Sequence, residues 1–300
     1  MSVSLAVIVP VHNEFGNIGP FYERTRAVLE TLPASWRIVF VNDGSDDGSL
    51  ERIRELRARD DRVKVISLSR DFGYHAVLLA GLSLVAADRY AMIDVDCEDP
   101  PELLRDFHAA IEGGADIAYG IRSNRVEPAT LTFFRRLFYY LNRSIADSDI
   151  VLWMAEFAMI TRQVRDAILV PRTTYVFLRA EIGYAGFVRV GVPYLRAART
   201  SGKTHYGVFN MTRFAVAGFL AGSTFPLRFI LYLAVAAGAL YPFVVAVGGL
   251  GASGAATLAA VATFYFALIA LSTIALYLAR TYKNGVGRPV FIVDRTKTEL

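Results

Sequence analysis

The sequence predicts an α/β protein, with a doubly wound, mostly parallel sheet followed by an interfacial helix and a C-terminal hairpin of two membrane-spanning helices. Three observations carry this. Short apolar runs alternate with amphipathic helical segments from Leu5 to Tyr119, the pattern of strands joined by right-handed helical crossovers. Polar clusters follow the first, second and fourth runs, where the carboxyl ends of parallel strands place ligands. Finally, no charged residue lies between Arg228 and Arg280, whereas charge has ordinary density before them.

Leu5–Val11 is an apolar run stopped by Asn13-Glu14, and Arg37–Val41 a second, stopped by Asn42-Asp43-Gly44. Both suit buried parallel strands. Helical periodicity covers Phe21–Leu32 between them and Ser49–Arg59 after them. Val63–Leu68 gives a third strand, Ala76–Ala87 a helix, Tyr90–Val95 a fourth strand, Glu102–Glu112 a helix and Asp116–Tyr119 a fifth strand. From Phe133 to Phe187 helix and short-strand patterns mix, ending in a strand at Val188–Tyr194. Gly202–Arg213 is a polar connector. Phe214–Phe225, uncharged but too short to span, suits an interfacial helix. Phe229–Val247 and Ala255–Ala279 are each long enough for ~30 Å of hydrocarbon. The implied units are 1–210, 211–227, 228–280 and a tail, 281–300.

Composition agrees with a soluble domain plus anchor: 54% of residues are hydrophobic and 20% charged, against ~45–50% and ~25% for soluble domains. The net charge of +4 comes without long Lys/Arg blocks, which argues against a nucleic-acid partner and for a lipid bilayer. Cys97 is the only cysteine, which excludes an intrachain disulfide and a cysteine-based zinc site. The N-terminus lacks a basic region and a long apolar stretch, so no secretory signal is expected. Arg228, Arg280, Lys283 and Arg288 flank the outer ends of the hairpin, and positive-inside bias places both termini and the soluble domain in the cytosol.

Asp94-Val95-Asp96-Cys97-Glu98-Asp99 ends the fourth strand. Carboxylates at i and i+2 after a strand converge where the chain turns, and hard oxygen donors suit Mg2+ or Mn2+. Asp94, Asp96 and Glu98 are therefore the candidate metal ligands. Asn42 to Gly48 is equally well explained as a plain acidic turn or as a site where Asp43 accepts from a base or ribose. Pro10-Val11-His12-Asn13-Glu14 is similarly open, with Glu14 as a ribose ligand. Gly249 to Gly254 matches a dinucleotide fingerprint but follows an apolar span rather than a strand. Asp71-Phe72-Gly73 lacks the companion motifs of a kinase.

In this order and spacing the motifs resemble the family-2 glycosyltransferases of GT-A fold, and most of all their polyprenyl-phosphate branch, which contains dolichyl-phosphate mannose synthase and bacterial undecaprenyl-phosphate glycosyltransferases. The resemblance runs through Pro10–Glu14, Asn42–Gly48, Ser69–Gly73, Ala80-Gly81-Leu82, Asp94–Glu102, Gly120-Ile121-Arg122, Phe177-Leu178-Arg179, Gly191–Tyr194, Pro226-Leu227-Arg228 and Arg288-Pro289. It implies a metal-dependent, inverting, non-processive transfer of sugar from a nucleotide sugar, with UDP-sugar the expected donor, to polyprenyl phosphate at the inner membrane. Pro10, Val11, Asn13, Glu14, Asp43 and Asp94 would bind the nucleotide, and Asp96 and Glu156 are the catalytic candidates. A homo-oligomer is compatible with this.

Three departures stand out. Glu98 replaces the family's glutamine, Ala155-Glu156-Phe157-Ala158-Met159 replaces G-D-F-R-L, and Gly202-Lys203-Thr204-His205-Tyr206 replaces G-E-S-K-Y. They leave the sugar and the roles of Glu156 and His205 open. A processive polysaccharide synthase is the nearest rival, disfavoured by two spans and no Q-x-x-R-W motif. A catalytically inactive membrane scaffold is the rival from another class. For the acceptor phosphate, arginine is the suitable forked cation. Arg122 and Arg125 follow the fifth strand, Arg135 and Arg136 open the aromatic segment Phe133–Tyr140, and Arg199 precedes the connector.

Overall fold

A computed structural model describes residues 4–123, 154–170, 178–196, 224–248 and 251–300. The expected arginines Arg125, Arg135, Arg136 and Arg199, His205, the connector at 202–213 and the interfacial segment at 214–223 lie outside the described residues.

The first half alternates as the apolar runs require: β1 (Ser4–Val11), α1 (Phe15–Leu29), β2 (Ser35–Asn42), α2 (Ser49–Arg59), β3 (Val63–Ser67), α3 (Tyr74–Leu84), β4 (Arg89–Met92), α4 (Leu104–Glu112) and β5 (Ile117–Arg122). Then come β6 (Met154–Thr161), α5 (Arg162–Leu169), α6 (Leu178–Ala185), β7 (Arg189–Tyr194), α7 (Phe225–Val247) and α8 (Ala252–Val286). The seven strands are ordered β3-β2-β1-β4-β6-β5-β7. All described pairings are parallel except those of β6, which runs antiparallel between β4 and β5.

Two apolar layers sandwich the sheet. Odd positions of β1 (Leu5, Val7, Val9) pack with Ile18 and Phe21 of α1, Ile53 of α2 and Phe107 of α4. Even positions (Ala6, Ile8) pack with Val77 and Leu82 of α3, Val164 of α5 and Ile182 of α6. Both faces of β1 are therefore buried, and this is why its sequence is a continuous apolar run. Gly81 lets α3 lie close to the sheet: a Cβ there would meet Ile8 at 2.4 Å.

Some expected boundaries moved. Periodicity starts α1 at Phe21, beyond Pro20, but the helix begins six residues earlier, at Phe15. There the Phe15 N–H donates to Asp47 (3.1 Å) and the Asn17 N–H to the Glu14 carbonyl (2.9 Å), which satisfies the exposed first turn. The fifth strand extends through Arg122, held by parallel pairing to β7.

Helices α7 and α8, of 23 and 35 residues, are long and apolar enough to cross a membrane, and their apolar windows are unburied by protein. The tail returns to the sheet. Val65 and Glu299 exchange backbone hydrogen bonds (2.8 and 2.7 Å), Asp294 N–H donates to Ser67 and Ser69 N–H donates to Ile292. The exposed edge of β3 is thereby paired rather than left open.

Candidate functional site

The carboxyl ends of β1, β2 and β4 open into a cleft of about 560 Å3, lined by Pro10, Val11, His12, Glu14, Asp43, Asp71, Tyr74, Asp94, Asp96, Arg122, Glu156, Arg179 and Arg196. Each strand contributes through its exit loop. Asn13 adopts a left-handed backbone (φ 56°) and ties two loops together: its N–H donates to Ser45 Oγ (3.1 Å) and its Oδ1 accepts from the Asp46 N–H (2.9 Å). His12 Nδ1 lies 2.8 Å from the Asp43 carbonyl oxygen. Glu14 Oε2 accepts from the Asn17 amide (2.5 Å).

Asp43 is buried, and its two oxygens accept the N–H groups of Phe72 (2.8 Å) and Gly73 (2.9 Å). Burial raises its pKa, while those two donors pull the other way. Gly44 has φ +65°, and a Cβ there would sit 2.8 Å from the Arg70 backbone. The glycine is thus needed both for its conformation and for loop contact. The acidic turn after β2 therefore docks the 70–73 loop, in addition to lining the cleft.

The turn after β4 carries the densest charge. Asp94 accepts from Tyr74 Oη (2.8 Å). Burial pushes its carboxyl up to about 7; the Tyr74 hydroxyl opposes this, and the charges of Asp96, Asp99 and Glu156 add to it. Cys97 is left-handed (φ 58°), a costly conformation for a residue with a Cβ. It lets the chain reverse so that Asp96 Oδ1 accepts the Glu98 N–H (3.1 Å).

Glu98 and Arg122 have partners that periodicity does not reveal. Glu98 is paired with Arg196 at 2.6 Å. Arg122 donates to Tyr194 Oη (3.0 Å) and to Asp99 (3.2 Å), and Tyr194 donates to Asp99 (2.5 Å). Asp99 is 1% exposed. Burial disfavours the charged guanidinium of Arg122, but the Asp99 carboxylate and Tyr194 outweigh this and raise its pKa. Its guanidinium is thus directed at Tyr194 and Asp99. Arg122 shares the cleft with Asp96, as its position after β5 suggested, but as part of a buried pair.

Glu156 enters from β6, the antiparallel strand, and is held by Arg179 of α6: Nε donates to Oε1 at 2.6 Å, while Nη1 donates to the Met154 carbonyl (3.2 Å). His75, beside this pair, has its pKa lowered by burial, which favours a neutral imidazole. Sequence reading included Arg179 and Tyr194 only as parts of motifs and missed Tyr74 and Arg196 as site residues. Arg196 carries no local signal, since its contacts to Glu98 and Asp99 span nearly a hundred positions of chain.

Oxygen donors from Asp94 and Asp96 fit a hard divalent cation, and the raised pKa of Asp94 marks a carboxyl in want of positive charge. Among the described residues no three His, Cys, Asp or Glu side chains form a ready metal group, so any ion would take much of its shell from water and substrate.

A mostly parallel sheet with an acidic turn at the carboxyl end of its central strand defines a GT-A-type α/β domain, here carrying two apolar C-terminal helices. The sequence profile described as glycosyl transferase family 2 matches residues 6–169, and the chain belongs to that family. An uncharacterized glycosyltransferase of Bacillus subtilis, YkcC, is 30% identical, with 98% of this chain and 94% of that protein aligned. A prophage bactoprenol glucosyl transferase homolog of Escherichia coli is 29% identical over 98% of this chain and 100% of its own length. Among solved structures, a mannosyltransferase from Pyrobaculum calidifontis in complex with GDP-Man and Mn2+ superposes with a TM-score of 0.53 at 17% identity, covering 95% of this chain and 87% of that one. That likeness concerns the fold.

Proposed function

We propose that the protein transfers a sugar from a nucleotide diphosphate sugar to a polyprenyl phosphate of undecaprenyl type, with inversion and one sugar per turnover. The observation that carries this is the carboxylate-lined cleft at the sheet's carboxyl edge, on a chain bearing two apolar helices. Full-length similarity to a protein named for bactoprenol glucosyl transfer supports the acceptor class.

In this reading Pro10, Val11, Asn13, Glu14 and Asp43 hold the nucleoside, and Asp94 and Asp96 hold Mg2+ or Mn2+ with water and donor phosphate oxygens. Glu98, paired with Arg196, supports the turn from behind. When bound, the cation supplies charge neutralisation for the departing diphosphate. A phosphate monoester has a second pKa near ~6 and is already an anionic nucleophile at neutral pH. Its oxygen forms the bond to the anomeric carbon as the bond to the diphosphate oxygen breaks, so no proton need be removed. The chain's task is orientation and charge placement. Glu156, fixed by Arg179, lines the cleft and in this reading orients the sugar.

Residues 1–210 form the catalytic unit in this reading, 211–227 its interfacial helix, 228–280 the two spans and 281–300 the tail, at the inner membrane. The pairing of the tail with β3 supports a C-terminus on the same side as the catalytic unit, and flanking positive charge puts that side in the cytosol. A reporter after Leu300 should be cytosolic and a tag at Gly251 should be reached only from the other side; both on one side would refute the hairpin. The activity itself is tested by supplying purified full-length protein with undecaprenyl phosphate, Mg2+ and a panel of nucleotide sugars. Lipid-linked sugar is expected from one donor, and none from any donor would defeat the reading.

A further inference from the structure

A second cavity, about 1110 Å3, adjoins the acidic cleft and lies between the end of α8 and the 70–73 loop. It is larger than the ~300–1,000 Å3 typical of small-molecule sites. Its helical wall is Ala275, Leu278, Ala279, Tyr282, Lys283 and Val286. These positions recur at three- and four-residue intervals and form one stripe of the helix. The opposite wall is Arg70, Phe72 and the Arg288–Val290 segment. The Arg70 guanidinium lies 4.2 Å from the Phe72 ring centroid and its Nη1 donates to the Asp71 carbonyl (2.9 Å).

The wall changes chemistry along its length. Helix α8 has 35 residues, whereas ~20 suffice to cross the hydrocarbon core. Its first charge is Arg280, so Ala275, Leu278 and Ala279 belong to the last apolar turns, and Tyr282 and Lys283 to the interface where aromatic and basic residues gather. Beyond them come Arg288 and Arg70. Small alanines at membrane depth leave room for an apolar chain, and the other end is lined by three cations and one carboxylate, Asp71, a net positive charge that suits an anionic head.

The groove also reaches the acidic cleft. Asp71 and Gly73 line both cavities, and Asp43 holds the 72–73 backbone from the cleft side.

We propose that this groove seats the acceptor lipid, a polyprenyl monophosphate, with its chain along Ala275, Leu278 and Ala279 and its phosphate among Arg70, Lys283 and Arg288, from where it advances past Gly73 toward Asp96. The proposal rests on the transferase reading above and adds where the acceptor enters. It places the lipid phosphate's first contacts on α8 and the 70–73 loop instead of on Arg122, whose fork is engaged by Asp99.

The test uses full-length protein in nanodiscs of neutral phosphatidylcholine and a diazirine-bearing polyprenyl monophosphate as probe. Photolabel is expected on residues 275–290 and 70–73, and tenfold excess phosphatidylglycerol should not remove it. Ala279→Trp, which fills the groove at membrane depth, should raise KM for the polyprenyl phosphate about 10-fold while kcat and the donor KM stay near wild type, the signature of lost acceptor binding alone. Arg288→Ala should act in the same direction and Arg288→Lys should recover most of the loss. Label elsewhere with the groove unmarked, removal of label by phosphatidylglycerol, or an unchanged acceptor KM in a folded Ala279→Trp would each overturn the groove. If that variant does not fold, wild-type labelling decides. Wild type that labels in the groove yet transfers no sugar would instead defeat the transferase reading and leave a lipid-phosphate site.

Discussion

Strand β4 carries an aspartate at each end, and the two are treated in opposite ways. Asp88, at the entry, accepts from the Ser4 N–H (2.9 Å), Ser4 Oγ (2.8 Å) and Arg162 (2.8 Å), and the Ser4 donors above all lower its pKa. Asp94, at the exit, has burial, one tyrosine hydroxyl and three neighbouring carboxylates, and is pushed up to about 7. The entry is electrostatically complete within the chain. The exit is short of positive charge, and the proposed cation site rests on that difference more than on the presence of aspartate.

The largest expected effect that can break this comparison is at Asp96. Asp96→Asn should lower sugar transfer about 100-fold or more, since cation-mediated stabilisation of a leaving group is worth several kcal/mol. Its melting temperature should stay near wild type; full activity would make the exit turn merely structural.

Next is Arg122. If its main task is to neutralise Asp99, Arg122→Ala leaves that buried carboxylate with Tyr194 and a longer Arg196 contact (3.4 Å) and should cost about 2 kcal/mol, read as a lower melting temperature in neutral detergent. A variant that melts like wild type but loses acceptor affinity would restore the direct phosphate contact that its position after β5 suggests.

A smaller effect concerns pH and metal together. Asp94 is raised from 3.8 to about 7, so the folded state binds its proton more tightly than the unfolded chain. Metal-free stability should fall as pH rises from about 4 to about 7 and level off above. Added Mn2+ competes with that proton, so its thermal stabilisation should be clear at pH 8 and weak at pH 5. Asp94→Asn should abolish both trends, and a metal shift equal at the two pH values would contradict this account.

The smallest effect is expected at Asp88. Its pKa is depressed, so its contribution is present above about pH 4 and lost as pH falls below that. Its side chain is partly exposed, and Asp88→Asn should cost about 0.5 kcal/mol at neutral pH after solvent screening, a cost that fades in acid denaturation profiles as pH falls below about 4. A loss as large as that of Arg122→Ala would erase the contrast between the ends.

Features that repeat locally are legible along the chain. The run Leu5–Val11 has both faces apolar because both faces of its strand are covered, so strand and burial are legible from seven residues. The uncharged stretch from Arg228 to Arg280 announces α7 and α8 in the same way. The D-x-D turn is legible because its carboxylates are two positions apart, and Asp94 and Asp96 indeed share one cleft. Other features depend on how distant segments pack. Strand β6 runs antiparallel between β4 and β5, and its direction depends on partners far along the chain. The engagement of Arg122 by Asp99 and Tyr194, of Glu98 by Arg196, and of β3 by the 292–299 tail joins residues 23 to more than 200 positions apart. Charge pairing depends on distance in space, and periodicity reports only neighbours along the chain, so an arginine open to substrate and one bound to a buried aspartate look the same until the sheet brings their partners together.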